Sequence, residues 1–152
     1  MPDVGVISMT PIGVLHTPFT DPDNTPIQPS RSNAAGQAEV FPAYAKGLEG
    51  VEGFSHIYLI YAFFEAGDEN TLLVKPFLDD RERGVFSTRF PLRPNPIGIS
   101  IIRLVNRAEY ILHFEGADML DGSLLLDIKP YLPDFDVFQA TRTGWYQHRS
   151  KD

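Results

Sequence analysis

Thirteen prolines and 12 glycines interrupt the 152-residue chain so often that a long helix has little room. The runs between them are rich in Val, Ile, Phe, Tyr and Leu, which suit a pleated, half-buried surface. The spacing predicts strands over 11–19, 36–42, 54–66, 84–90, 96–105, 109–117 and 123–132. Short strands at this density predict a mainly β, single-domain fold with a closed or nearly closed sheet.

Residues 54–66, "FSHIYLIYAFFEA", are apolar at nearly every position, as in a strand covered on both faces; a buried helix is the rival. Their β-branched and aromatic content favours the strand. Upstream, Gly47, Gly50 and Gly53 leave room for only a short helical turn, since an interior glycine costs about 1 kcal/mol. The segment "TDPDNTPIQPSRSNA" is polar, proline-rich and longer than most structureless connections, the kind of loop that often carries function. Residues 1–140 read as the barrel domain and 141–152 as a tail, either mobile or docked on a partner.

The formal net charge of −7 argues against binding nucleic acid through overall charge and leaves room only for a local basic patch. The chain has no cysteine, which removes disulfides, thiolate metal sites and a thiolate nucleophile. It shows no secretory leader and no apolar run near the ~20 residues of a membrane helix, so a cytoplasmic protein is expected. His16, His56, His113 and His148 stand singly, without the paired spacings of metal sites, so no metal is expected. Phosphate-binding glycine loops, dinucleotide fingerprints and nucleophile elbows are missing too, which disfavours Rossmann enzymes and common hydrolases.

Against this background "RERGVFSTRFPLRPNPIG" gathers Arg81, Arg83, Arg89 and Arg93 with one acid, Glu82. A guanidinium fork can clamp a carboxylate or phosphate, and the cluster reads equally as a solvated face paired with Asp79 and Asp80. Pro94 and Pro96 fix φ on either side of Asn95, making a stiff turn that can face a flat heterocycle. Further on, Asp121-Gly122 is a hairpin signal of type I′ between two apolar runs, and Asp118 and Asp121 are also suited to an ammonium or ribose hydroxyls. In "QPSRS", residues 28–32, donors lie near Arg31 in the manner of a lid.

Taken together, "GVFSTRFPLRPNPIGIS", "LDGSLLLDIKPYLP", "GLEGVEGFSHIYLIYAF" and "PIGVLHTPF" resemble the TsaA/TrmO (YaeB-like) family over nearly the whole chain and in the family's order. The resemblance implies a β-barrel outside the Rossmann group and a homodimer that binds S-adenosylmethionine near the subunit interface. It also implies methyl transfer to the exocyclic N6 of threonylcarbamoyl-adenosine at tRNA position 37, next to the anticodon. Matching positions would place cofactor contacts at Gln28, Pro29, Ser30, Phe64, Glu65, Arg89, Ile99 and the run Asp118, Met119, Leu120 and Asp121. Arg93 and Asn95, in the most characteristic motif, would line the same cleft.

Arg81, Arg83 and Arg93 are candidates for tRNA contact, extended by Arg142, Arg149 and Lys151 in the tail. The catalytic residue is unassigned: Asp121 and Glu65 are candidates for taking the acceptor's proton by side-chain type, and each also reads as a cofactor ligand. The resemblance to longer bacterial members is expected to cover the barrel and not their additional C-terminal domain. Two readings compete with a tRNA methyltransferase. One is a module that senses S-adenosylmethionine or an adenine nucleotide without turnover, and the other is a structural dimerisation barrel.

Overall fold

The computed structural model describes residues 4–21, 32–63 and 71–149. The strands run β1 (Gly13–His16), β2 (Ala35–Val40), β3 (His56–Ala62), β4 (Leu73–Val74), β5 (Arg83–Gly84), β6 (Ile97–Ala108), β7 (Ile111–Glu115) and β8 (Leu124–Pro130). Six of them close an antiparallel barrel in the order β1-β2-β7-β6-β3-β8, while β4 and β5 pair as a separate ribbon. The expected mainly β barrel is what forms. Among the described residues no helix is long and apolar enough to cross a membrane.

Period-two alternation decides which side chains fill the barrel. On β6, Gly98, Ser100, Ile102 and Leu104 face inward, and Ile97, Ile99, Ile101 and Val105 face out. On β3, Ile57, Leu59 and Tyr61 are buried while their neighbours are half-buried, so the continuous apolar run is a strand that is fully covered on one face only. With Leu15, Val40, Leu112, Phe114 and Leu125 these residues make one core. Gly36 permits the closure: a Cβ there would stand 2.5 Å from the Phe114 ring, so only a bare backbone can cross at that point.

Three local expectations differ from the structure. The strand expected over 84–90 is confined to Arg83–Gly84, and Val85–Ser87 turn into a 3-10 segment. Ser87 Oγ donates to the Gly84 carbonyl (2.7 Å) and Thr88 Oγ1 to that of Val85 (2.8 Å), which favours a turn over a ladder. β6 continues past residue 105 to Ala108.

Asp121-Gly122 is not a β7–β8 hairpin, because β7 pairs with β2 and β6 whereas β8 pairs with β1 and β3. Only Gly122 (φ 83°) is left-handed there, and a type I′ turn needs both central residues so. The tight β6–β7 turn falls instead at Glu109–Tyr110, where Glu109 takes φ 58° without being glycine.

The far end of the barrel is covered by 3-10 segments at Pro42–Leu48 and Val51–Gly53, the short helical turn the glycines allow. In the tail, the Trp145 indole donates to the Ser87 carbonyl (2.7 Å), tying residues 144–148 to the turn ahead of Arg89.

Candidate active site at the barrel mouth

At the other end β3 finishes and β6 starts, joined by a bond from the Phe63 amide to the Pro96 carbonyl (2.8 Å). Residues 116–121 cross this mouth and have their backbone groups satisfied from both flanks of the long polar loop. Gly116 and Ala117 amides donate to the Ala34 carbonyl (2.9 and 3.1 Å), and the Asp121 amide donates to that of Phe19 (2.7 Å). Ser32 Oγ donates to the Ala117 carbonyl (2.6 Å) and Thr17 Oγ1 to that of Met119 (2.8 Å). A crossing segment bonded this way holds its side chains in fixed directions.

Asp118, on that segment, is 9% exposed, is the one buried carboxylate among the described residues, and turns its Oδ1 toward inward-facing Ser100. Its Oδ1 accepts from Ser100 Oγ (2.5 Å), and Ser100 Oγ lies 2.9 Å from the Tyr61 hydroxyl. A hydroxyl has one proton, so with Ser100 donating to Asp118, Tyr61 donates to Ser100. The result is a directed chain from Tyr61 through Ser100 to Asp118.

Burial pushes the Asp118 carboxyl up to about 7, against the opposing pull of the Ser100 hydrogen bond, its own backbone amide and the Arg89 charge. Burial first, and the Asp118 charge second, hold the Tyr61 phenol above its usual range, so it remains a proton donor at neutral pH.

The four arginines divide. Arg83 Nε donates to Asp79 Oδ2 (2.5 Å) and holds that carboxyl below its usual range. Arg93 Nη1 donates to the Thr88 and Phe90 carbonyls (3.0 and 3.1 Å), bracing the loop that carries the Asn95 turn. Arg81 and Arg89 have exposed side chains, and the Arg89 charge acts on Asp118. Sequence left open whether the cluster is ion-paired or a clamp; the structure pairs Arg83 with a carboxylate and turns Arg93 onto backbone carbonyls. Asn95 is exposed, and its carbonyl accepts from the Ile97 amide (2.7 Å).

The run from Asp118 to Asp121 also divides. Asp118 and Met119 are buried, Leu120 is half-buried, and Asp121 is exposed with its Oδ1 accepting from the Thr17 amide (3.0 Å). That bond makes Asp121 a brace of the β1 exit. Ile99 points out of the barrel, on the opposite side of β6 from Ser100. Gln28, Pro29, Ser30, Phe64, Glu65 and Lys151 lie outside the described residues.

Tyr61 and Ser100 were missed by sequence reasoning. Ser100 is the lone polar residue at an inward position of β6, and a buried hydroxyl must find a partner; alternation alone flags it. Two concavities lie elsewhere: one of about 560 Å³ under the 3-10 cover, lined by Tyr44, Leu48 and Phe54, and one of about 800 Å³ beside Gln37 and His113. Neither contains a buried carboxylate, which is why the mouth is the better candidate for chemistry.

A small closed antiparallel barrel, with a buried carboxylate and a cation at one mouth, defines a compact β-barrel class distinct from nucleotide-binding α/β folds. Residues 14–137 match the tRNA-methyltransferase O N-terminal domain, and the chain belongs to that family.

Among relatives, a probable S-adenosyl-L-methionine-binding protein of Pyrococcus abyssi is 50% identical, covering 93% of this chain and 77% of its own length. The mouse tRNA (adenine(37)-N6)-methyltransferase is 36% identical over 88% of this chain, which spans only 33% of that enzyme. The crystal structure of TrmO from Pseudomonas aeruginosa superposes with a TM-score of 0.79 at 32% identity, covering 97% of this chain and 66% of that one.

Proposed function

We propose that the chain binds S-adenosylmethionine at the barrel mouth and transfers its methyl group to N6 of adenosine 37 in tRNA, with threonylcarbamoyl-adenosine as the acceptor. The observation that carries the reading is the placement of Arg89 and Asp118 on one rigid mouth, in a chain of this family. The residues fit the cofactor's charges: a guanidinium suits the methionine carboxylate, and a carboxylate suits a cation or ribose hydroxyls. Buried Met119 and half-buried Phe63 add apolar surface beside them.

When bound, the cofactor supplies a methyl carbon already activated on a sulfonium, so neither a protein nucleophile nor a metal is required. The chain's own contribution is positioning. The crossing segment, bonded from both flanks, fixes Asp118, and the loop braced by Arg93 fixes the approach to Arg89. For tRNA, Arg81 and Arg89 present exposed positive charge in an acidic chain.

A homodimer through the outer face of β6 belongs to the same reading. Ile97, Ile99 and Ile101 are 41, 54 and 39% exposed in one row that Arg103 continues, with Val105 (47%) beyond it, beside half-buried Ile60 of the paired strand. A second copy of the chain covers that row, each isoleucine contributing up to about 1.5–3 kcal/mol if fully buried. The cytoplasm, where tRNA is modified, is the expected setting. Labelled cofactor incubated with tRNA, with and without the threonylcarbamoyl group, tests the reaction. Saturable binding without label transfer would instead favour the sensor reading.

A further inference from the structure

We propose that Asp118 is the residue that takes the proton from the acceptor nitrogen, with Ser100 and Tyr61 as positioning residues that hold its carboxylate. The inference rests on the methyl-transfer reading above and assigns the step for which sequence offered only Asp121 and Glu65.

The acceptor nitrogen is conjugated to adenine and to a carbonyl, so it is a weak nucleophile until its proton leaves. In the transfer its lone pair forms the N–C bond while the methyl carbon's bond to sulfur breaks and that electron pair stays on sulfur. The N–H pair then becomes the nitrogen's lone pair, and the proton goes to a carboxylate oxygen of Asp118. Charge balances: a sulfonium and a carboxylate become a neutral thioether and a neutral acid, and the acid later gives its proton to water at the mouth. A general base works best when its pKa lies near the working pH, and burial places Asp118 there.

Asp121 is the poorer choice because its side chain faces solvent, where water competes for its oxygens. Asp118 Oδ1, by contrast, is oriented by Ser100, whose own acceptor site is occupied by Tyr61. The titratable and charged groups that face Asp118 are Tyr61 from β3 and Arg89 from the loop before β6. Tyr61 stays neutral, so Arg89 and a bound cation are the charges that tune it, and both favour the carboxylate.

The test uses the full-length protein with Asp118→Asn and Ser100→Ala. In the free wild type the Asp118 carboxyl carbon followed by NMR titrates near neutral pH; with cofactor bound that titration moves to lower pH, and single-turnover methyl transfer rises through the shifted range to a plateau. Asp118→Asn is expected to lower the plateau by about 10²-fold or more and to remove the rising limb, measured at cofactor concentrations that calorimetry shows to saturate the variant. Ser100→Ala removes a bond that favours the carboxylate, so both the NMR titration and the rising limb move to higher pH together while the plateau persists.

An Asp118→Asn variant that keeps the limb, or that loses cofactor affinity while transferring at the wild-type rate under saturation, overturns the assignment. A wild-type protein that binds cofactor but methylates no adenosine 37 overturns the methyl-transfer reading, and this one with it.

Discussion

Gly98 lies directly beneath the ring of Tyr61: a Cβ at position 98 would stand 2.5 Å from Tyr61 Cε2, 2.7 Å from Cζ and 3.0 Å from Phe63 Cζ. The bare backbone of β6 therefore lets Tyr61 lie flat with its hydroxyl on Ser100. Gly98→Ala must displace both rings, at about 1–3 kcal/mol in a packed interior. Urea unfolding should show that loss, whereas Gly47→Ala, with nothing within 4 Å of its Cβ, serves as the unstrained control. A Gly98→Ala variant as stable as wild type would mean that Tyr61 is not held against β6.

Asp118 gives stability a distinctive pH dependence. Its folded value, about 7, lies above the unfolded value of 3.8, so the native state holds the proton more tightly between those limits. Stability is therefore greatest, for this group, at low pH and falls as pH rises through that window. The roughly three-unit gap corresponds to about 4 kcal/mol, and an asparagine never pays it. Urea midpoints should show Asp118→Asn gaining on the wild type from pH 4.5 to pH 8. A wild type and variant whose midpoints run parallel over that range would show that the carboxyl is not raised.

Arg89 is exposed, and its charge acts on the mouth. Arg89→Ala should weaken S-adenosylmethionine binding in calorimetry by about 10-fold or more, while stability changes by no more than about 0.5 kcal/mol. The reverse pattern, intact affinity in a destabilised protein, would make this arginine structural.

Ile99 is 54% exposed in the centre of the β6 outer row. Ile99→Glu should leave the barrel folded by circular dichroism and convert a dimer to a monomer in light scattering, because burying an unpaired carboxylate at the seam costs several kcal/mol. A variant that remains dimeric would move the interface to another face.

Much of the barrel is legible from the chain because period two is a local property. Proline and glycine spacing located the strands, and the alternation of Gly98, Ser100 and Ile102 sorts inside from outside. What was lost depended on pairings that spacing cannot reveal. Asp121-Gly122 has hairpin chemistry, yet its flanking strands join different neighbours, so the turn became a crossing of the mouth. Arg83 and Arg93 carry the same charge as Arg89, but a carboxylate four residues back and two nearby carbonyls claimed them. The Tyr61–Ser100–Asp118 chain joins residues 39 and 18 positions apart, which only barrel closure brings together.

The central claim is methyl transfer at this mouth, and mass analysis of nucleosides from tRNA treated with isotope-labelled S-adenosylmethionine tests it most directly. The account predicts one labelled methyl on N6 of threonylcarbamoyl-adenosine 37, and none from the Asp118→Asn protein on the same timescale. Saturated cofactor binding with no label in any adenosine 37 would contradict it.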